Sequence, residues 1–264
     1  MFEDRLRIAN TAAYFDLRVV EERRRSVHAL NTLFLDLQDF IRPKTFVEIG
    51  AFDAAFSRQI RERHPTADII AFEANPHNHQ YWSSVYDFPG LRIDYKHLAI
   101  SDRIGTLEFL VQTKRGDERL PPVKGDDSLL PRAEAGIAYE AAKVDSLPLD
   151  VVLHDSQFAT HDICLWIDVE GASKLVFSGA TKSLERTTSI FIEVEERPYW
   201  SGQWLFNDID AFLSSLGFRP IARDFENAHQ FNVIFVRDMV MQHFMFMDRM
   251  VTYFTTIGMG ARCS

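Results

Sequence analysis

The chain has 264 residues, of which 46% are hydrophobic and 12% aromatic, so it can bury a substantial core and we expect one main domain with terminal additions. Its 38 acidic side chains outnumber the 29 basic ones, which gives a net charge of -9. Proteins that bind nucleic acids usually have an excess of basic side chains, so we expect no nucleic-acid partner. The chain has only two cysteines, Cys164 and Cys263, and neither an apolar leader nor a run of about 18 apolar residues, which predicts a cytoplasmic protein without a disulfide framework, secretion signal or transmembrane segment.

The first predicted elements are a helix and then a strand–helix–strand unit. Apolar positions from Val27 to Ile41 recur at three- and four-residue steps, which predicts an amphipathic helix that ends near Pro43. The segments TFVEIG, AAFSRQIRERH and ADIIAFEANP then read as a strand, a helix and a second strand. A βαβ unit of this kind implies that its two strands pair in parallel.

Strands and helices continue to alternate along the rest of the chain. Further strand-like segments are LRIDY, TLEFL, ICLWIDVEG, SIFIEVE, RPIARDF and FNVIFVR. Helical segments lie near residues 76–86, 172–184 and 207–216, and the last has Asn207 as its N-cap and Gly217 just past its end. This alternation predicts an α/β fold with a doubly wound open sheet.

Two segments depart from the alternation. Residues 113–150 combine prolines, glycines and charges without a long period, and we expect a long irregular insert there. The tail at residues 239–264 is rich in Met and Phe, so we expect it to pack on its own domain or on a second subunit of a homo-oligomer. Membrane attachment is disfavoured because the tail has no basic polar face. The expected organisation is a helical extension over residues 1–44, a main domain over residues 45–238, and the tail.

An acid and a glycine mark the end of the first predicted strand. Glu48 and Gly50 lie where ligands bind in doubly wound sheets, at the carboxyl ends of the strands. Glu73 ends the second strand, 23 residues after Gly50, which is close to the spacing at which an acid accepts hydrogen bonds from ribose hydroxyls. An acid beside the glycine disfavours a phosphate, so these residues indicate a cationic nucleoside such as S-adenosylmethionine. The alternative is that they are solvated residues without a ligand.

The next strand ends supply an apolar wall and two more acids. Ala99, Ile100 and Ser101 offer small apolar groups followed by a hydroxyl, which suits the face and the edge of an adenine ring. Asp168 and Glu170 follow the apolar run ICLWI and lie on the same side of the predicted sheet. Because buried acids are costly unless they are used, we expect both to serve the same site.

Seven segments in a fixed order carry a family resemblance. They are FVEIGAFDAAFS, IIAFEANP, LAISDRIGTLEF, VDSLPLD, LWIDVEGASKLVFSGA, IFIEVE and FNVIFV, and they span about residues 45–236. In these segments the chain resembles the FkbM-type S-adenosylmethionine-dependent methyltransferases, which are class I Rossmann-like O-methyltransferases. The resemblance implies a mostly parallel, seven-stranded sheet with helices on both faces, and methyl transfer to a hydroxyl of a sugar, a glycolipid or a related natural product.

By position, the resemblance also implies a binding site for S-adenosylmethionine. Glu73 would lie at the ribose, and Asp168 would face the methionine amino group or the acceptor. Two departures are Phe52 and Ala54, which replace an Asn and a Gly of the family's first loop, and a third is Trp166, which replaces a Lys. The expected cofactor set is Glu48, Gly50 and Ala51 around the methionine part, Phe52, Glu73, Ala74 and Asn75, then Ala99, Ile100 and Ser101 around the adenine, and Asp168.

Acids are the main candidates for the chemistry. Methyl transfer to a hydroxyl requires positioning and is helped by a base that takes the proton. The expected catalytic residues are Asp168, Glu170 and His154. Asp168 and Glu170, together with Glu193 and Glu195 of the next strand, also offer oxygen ligands for Mg²⁺. The alternative is that these acids hydrogen-bond the backbone or the cofactor.

Aromatic side chains after the fifth strand are the expected acceptor contacts. Tyr199, Trp200 and Trp204 have flat apolar rings with polar tips, which suit the face of a sugar, and Asp127 and Ser128 form a second lip. The rings are equally compatible with a hydrophobic lid or a packing contact. Two other functions stay open, namely a catalytically silent binding module and an NAD-dependent oxidoreductase. The missing G-x-G-x-x-G pattern disfavours the oxidoreductase.

Overall fold

A computed structural model of the chain describes residues 19–154 and 157–259. These residues form two compact units. Unit I comprises Pro43–Thr187 and Pro198–Leu205, and unit II comprises the described residues up to Arg42, Thr188–Arg197 and the residues from Phe206 onward. The predicted division into an extension, a main domain and a tail stays a prediction.

The described helices and strands alternate over most of the chain. The helices are α1 (Val20–Ile41), α2 (Ala55–Arg63), α3 (Pro76–Val85), α4 (Leu149–His154), α5 (Ser173–Ser178), α6 (Thr181–Glu185), α7 (Phe206–Ser215), α8 (Asp238–Met241) and α9 (Phe246–Met259), with a 3₁₀ turn at Gln157–Thr160. The strands are β1 (Thr45–Ile49), β2 (Asp68–Glu73), β3 (Asp94–His97), β4 (Ala99–Ile100), β5 (Gly105–Arg115), β6 (Glu118–Arg119), β7 (Ile137–Leu147), β8 (Ile163–Ile167), β9 (Thr187–Glu195), β10 (Phe218–Arg223) and β11 (Gln230–Arg237).

Unit I is built around the parallel strand β1. This strand pairs with β2 on one side and with β8 on the other, and β2 pairs in turn with β3. Every residue of β1 is buried, including the polar Thr45 and Glu48, as expected of a parallel strand that is covered on both faces. Strand order changes direction beside β1, so the carboxyl ends of β1, β2 and β8 border one crevice.

A second, four-stranded sheet in unit I includes part of the segment that was predicted to be an irregular insert. Its strand order is β4-β7-β5-β6, and β5 pairs antiparallel with β7 along its whole length. The prediction was wrong for residues 137–147, which form β7: its alanines occupy exposed positions (Ala138 and Ala141) as well as a buried one (Ala142), so its two faces differ little in hydrophobicity. Residues 120–136 contain no helix or strand. Phe109 and Val111 of β5 form a small core with Ala142 and Val144 of β7.

Unit II contains α1, antiparallel strands and the C-terminal helices. β11 pairs antiparallel with both β9 and β10. As predicted, α1 ends just before Pro43. α9 contacts α1, and its buried side chains recur at helical spacing at Phe246, Met250, Tyr253 and Ile257. The described part of the tail, residues 239–259, therefore packs on its own unit, which is one of the two predicted alternatives, and residues 260–264 lie outside the described residues.

Two predicted helices differ in detail from the observed ones. α7 begins at Phe206, so Asn207 lies in the first turn rather than at the N-cap, whereas Gly217 has a φ of +84° just past the helix end, as predicted. The helix predicted over residues 172–184 is divided into α5 and α6 at Gly179. A Cβ on Gly179 would lie 2.0 Å from the backbone oxygen of Ser101, so this close passage requires a glycine, and glycine ends helices.

Seven strands follow the order β10-β11-β9-β8-β1-β2-β3 in one sheet. Its pairs β8–β1, β1–β2 and β2–β3 are parallel, whereas β9–β11 and β11–β10 are antiparallel. The predicted α/β fold with a seven-stranded sheet is confirmed, and the sheet is mixed rather than strictly parallel. Within residues 19–154 and 157–259, no helix is both long enough and apolar enough to span a membrane.

Candidate active site

A cavity opens at the carboxyl ends of β1, β2 and β8 in unit I. The predicted site residues that line it are Gly50, Phe52, Glu73, Ala74, Ala99, Ile100, Asp127, Asp168 and Glu170. The predicted residues of unit I that do not line it are Glu48, Ala51, Asn75, Ser101, Ser128, His154, Tyr199, Trp200 and Trp204.

Gly50 occupies the point at which β1, β2 and β8 converge. Its N–H donates to the Phe72 carbonyl at 2.9 Å, and its φ of +80° lies in the left-handed region that favours glycine. A Cβ at this position would lie 1.6 Å from the backbone oxygen of Asp168. The absence of a side chain at Gly50 therefore allows the backbone of Asp168 to approach closely.

The loop after Gly50 has a left-handed backbone at two residues that are not glycine. The φ angle is +46° at Phe52 and +54° at Ala54. At these positions the FkbM-type pattern has Asn and Gly, which adopt this conformation most readily. The Phe52 N–H donates to Glu73 at 2.7 Å and the Phe52 carbonyl accepts from the Tyr95 hydroxyl, so hydrogen bonds hold the unfavourable conformation in place.

Glu73 is a buried carboxylate that joins the loops after β1 and β2. One oxygen accepts the Phe52 N–H at 2.7 Å, and the other accepts the Asn75 N–H at 2.6 Å. Burial raises the pKa of Glu73 to about 7, although both of these hydrogen bonds act to lower it. A carboxylate offers about four acceptor sites, so Glu73 can also accept hydroxyl groups of a ligand in the cavity that it lines.

Glu48 is also buried, but its carboxylate is bonded to α2 rather than lining the cavity. It accepts the Ser57 N–H at 2.9 Å. Side chains alternate along a strand, so Glu48 points to the opposite face from Ile49, which does line the cavity. Burial raises the pKa of Glu48 to about 7, and the hydrogen bonds from Ser57 only partly offset this effect. Its predicted contact with the methionine part of a cofactor stays a prediction.

We expect the raised pKa of Glu48 to make stability depend on pH. In the unfolded chain this carboxyl has its ordinary pKa near 4.5, whereas in the folded chain the pKa is about 7. The folded state therefore binds the proton more tightly, and the stabilisation from this group is lost as pH rises from about 4.5 to about 7. Glu48→Gln should accordingly raise the melting temperature at pH 8 and leave it nearly unchanged at pH 4.5.

Thermal unfolding of the parent and of Glu48→Gln at both pH values measures this effect. Glu62→Gln is the matched control because Glu62 is an exposed residue of the neighbouring helix α2. A Glu48→Gln melting temperature that follows the parent at both pH values would contradict the assignment.

Asp168 and Glu170 follow β8 and line the same cavity. The Asp168 N–H donates to the Ile49 carbonyl at 2.9 Å, which fixes the residue beside the end of β1. Burial raises the pKa of Asp168 to about 6. Glu170 has a φ of +49°, and its carbonyl accepts the Ser128 hydroxyl at 2.7 Å. The turn that carries both acids is thus held by β1 and by the segment before β7.

One part of the cavity lining is apolar. Phe109 of β5 and Leu129 belong to this part and were not predicted, because no sequence pattern indicates that the second sheet reaches the cavity. Ser101 was predicted to contact an adenine, but its hydroxyl pairs with the Ser146 hydroxyl at 2.6 Å. The apolar lining residues are Ala74, Leu98, Ala99, Ile100, Phe109 and Leu129.

Two polar residues of the cavity were also missed. Asn78 lies in α3, and Lys124 lies in the segment between β6 and β7. The Asn78 side chain donates to the Lys124 carbonyl at 2.8 Å and accepts the Lys124 N–H at 3.1 Å. This pairing joins residues 46 positions apart, so no local sequence pattern signals it.

Three predicted acceptor residues lie in the loop Pro198–Leu205 and do not line the cavity. Trp200 is fully buried, and the Arg132 guanidinium lies 3.9 Å from the centre of its ring. A Cβ on Gly171 would lie 2.5 Å from this ring, so Trp200 packs closely on the turn that carries Glu170. Acceptor binding by Tyr199, Trp200 and Trp204 stays a prediction, and so does a catalytic role for the exposed His154.

The predicted metal ligands are divided between the two units. Asp168 and Glu170 belong to unit I, whereas Glu193 and Glu195 belong to unit II. Within unit II, the Gln230 side chain donates to Glu193 at 2.9 Å. Binding of Mg²⁺ by these four acids stays a prediction.

Comparisons with known sequences point to methyltransferases. The family described as the methyltransferase FkbM domain matches residues 46–220. The 2-O-methyltransferase NoeI of Sinorhizobium fredii (strain NBRC 101917 / NGR234) is 24% identical over 166 residues, which make up 60% of this chain and 65% of that protein. The chain therefore spans less than two thirds of the length of this relative.

Solved structures with a similar fold include several methyltransferases. The S-adenosylmethionine-dependent methyltransferase SibL in its apo form is 11% identical with a TM-score of 0.39, covering 78% of this chain and 54% of that one. Human N-acetylserotonin methyltransferase in complex with S-adenosylmethionine is 13% identical with a TM-score of 0.37, covering 82% of this chain and 56% of that one.

Proposed function

The chain belongs to the FkbM methyltransferase family, and we propose that it transfers a methyl group from S-adenosylmethionine to a hydroxyl of a sugar, a glycolipid or a related natural product. The observation that carries this proposal is the buried Glu73, which shares one cavity with an apolar wall and with Asp168. Glu73 can accept hydrogen bonds from a ribose, the apolar wall suits an adenine, and Asp168 suits the positively charged sulfonium end. These are the three parts of S-adenosylmethionine, and the residues meet at a switch point of the sheet.

The lining of the cavity fits S-adenosylmethionine in its chemistry. Glu73 would accept hydrogen bonds from the ribose hydroxyls, and Leu98 and Ile100 would contact the adenine. Asp168 would face the positively charged end of the molecule. When bound, S-adenosylmethionine supplies a methyl group on a positively charged sulfur.

Asp168 is the proposed base. A carboxyl with a pKa of about 6 is mostly ionised at neutral pH, yet it is more basic than an ordinary aspartate. It would take the proton from the acceptor hydroxyl and release it to solvent. Glu170 lines the same cavity and would hold the acceptor hydroxyl. His154 is the weakest of the three predicted candidates because it is exposed and does not line the cavity.

A hydroxyl acceptor is supported by the relative NoeI, which is named a 2-O-methyltransferase. The aromatic loop of Tyr199 and Trp204 would supply stacking surfaces for a sugar ring. We also propose a cytoplasmic location, and a homo-oligomer formed through the tail, where Phe244 and Met247 are exposed.

Transfer of an isotopically labelled methyl group tests the proposal. The parent protein is incubated with labelled S-adenosylmethionine and a panel of glycans and glycolipids, and label is counted in each acceptor. We expect label in at least one hydroxyl-bearing acceptor and no turnover with NAD. The proposal would be rejected if calorimetry showed no binding of S-adenosylmethionine while NAD did bind.

We expect Asp168→Asn to lower kcat far more than cofactor affinity. Loss of a general base costs about 10²- to 10⁴-fold in rate. The parent kcat should rise with pH through about 6, where Asp168 becomes ionised, and the variant should lose this rise. Asp145→Asn is the control, because Asp145 is an exposed residue of β7. Steady-state kinetics between pH 5 and 8 measure both, and an unchanged pH profile in Asp168→Asn would assign the base elsewhere.

A further inference from the structure

Asp127 is a buried carboxylate with three hydrogen-bond donors. Its side chain is 1% exposed. One oxygen accepts the Gln112 N–H at 2.7 Å, and the other accepts the Asn75 side-chain amide at 2.9 Å and the Lys124 ammonium at 2.6 Å. Because both oxygens are already used by the protein, Asp127 is poorly suited to bind a substrate directly.

The three donors come from different parts of unit I. Gln112 lies in β5 of the second sheet, Lys124 lies in the segment that follows β6, and Asn75 follows β2. Asn75 is also the N-cap of α3, and its own N–H donates to Glu73 at 2.6 Å. Asn75 thus links Asp127 to Glu73, the proposed ribose-binding carboxylate, because it donates hydrogen bonds to both.

The charges of this network are balanced inside the protein. The Lys124 side chain is only 12% exposed, and its ammonium neutralises the carboxylate of Asp127. Burial raises the pKa of Asp127, while the hydrogen bonds from Lys124 and Gln112 lower it. A buried pair of this kind is strongly disrupted when one partner is changed, because the other is left without compensation.

The segment that Asp127 holds forms part of the cavity. Lys124, Gly125 and Leu129 line it together with Asp127. We propose that Asp127 is a positioning residue that holds this segment, which connects β6 to β7, against the loop of Glu73 and so shapes the cofactor site. This role differs from the substrate contact predicted from the sequence, and it rests on the proposed function.

Calorimetric titration with S-adenosylhomocysteine tests the inference on the full chain. Whichever way the new amide is turned in Asp127→Asn, its NH₂ group faces at least one of the three donors. We expect the dissociation constant to rise about 10-fold or more, because a buried group that loses its partner is costly. Asp126→Asn is the matched control, because Asp126 is the neighbouring acid and pairs with Arg115 instead.

Steady-state kinetics distinguish positioning from a general loss of structure. We expect a higher KM for S-adenosylmethionine in Asp127→Asn, with kcat within about 3-fold of the parent value. A change mainly in KM means that binding is weakened while the chemical step is kept. Lys124→Met provides a second variant if Asp127→Asn does not fold, and it should raise KM in the same direction. An unchanged dissociation constant in a folded variant would overturn the inference alone. Failure of the parent to bind S-adenosylhomocysteine would reject the proposed function and this inference with it.

Discussion

Replacing Glu73 by glutamine is expected to weaken the binding of S-adenosylhomocysteine by roughly 10- to 100-fold. The carboxylate accepts two backbone N–H groups, from Phe52 and Asn75, and it lines the cavity. Hydrogen bonds to a charged group contribute about 1.5 to 3 kcal/mol each, and 1.4 kcal/mol is about tenfold in affinity. The amide NH₂ of glutamine would also face one of these two donors, which would displace one of the loops.

Calorimetry on the parent and on Glu73→Gln measures the loss directly. Glu108→Gln provides the control, since Glu108 is an exposed acid of β5 beside the buried Phe109. Unchanged affinity in Glu73→Gln, at a melting temperature close to that of the parent, would remove Glu73 from the cofactor site.

Gly50→Ala should lower the free energy of unfolding by at least about 4 kcal/mol, a size reserved for severe steric or packing defects. The new methyl group would lie 1.6 Å from the Asp168 backbone oxygen, so β1 and the turn after β8 would have to separate. This separation would also move Asp168 away from its place beside Gly50. We therefore expect the folded fraction to have neither cofactor binding nor activity.

Gly202→Ala isolates the backbone part of this effect. Gly202 has a φ of +82°, close to the +80° of Gly50, and a Cβ added to it would meet no atom of the described residues within 4 Å. An alanine whose backbone is held in the left-handed region costs about 1 to 2 kcal/mol, even without a steric contact. Denaturant unfolding of both variants gives the difference, and equal destabilisation would mean that the contact with Asp168 is unimportant.

Much of the fold could be predicted because buried strands appear in the sequence as apolar runs. β8, ICLWI, reads as an apolar run because four of its five residues are buried, and α1 ends at Ile41, two residues before Pro43, because proline cannot continue a helix. The second sheet was missed because the alanines of β7 give weak contrast between its two faces. Local patterns also could not indicate that β5 and β7 pair across a connection of about 20 residues.

The candidate site was predictable where it follows from strand ends. Gly50, Glu73 and Asp168 come directly after or at the ends of strands, and parallel strands bring such ends to one edge. Glu48 shows the limit of this reasoning, because the alternation of the strand turns it to α2, where Ser57 binds it. Lys124 and Phe109 reach the cavity through tertiary contacts that have no local signature.

The most direct test of the proposed cofactor site is a crystal structure of the protein with S-adenosylhomocysteine. We predict that the ribose hydroxyls lie within hydrogen-bond distance of Glu73, that the adenine contacts Leu98 and Ile100, and that the sulfur lies on the side of Asp168. A ligand bound elsewhere, or bound in this cavity without contact to Glu73, would contradict the proposed site.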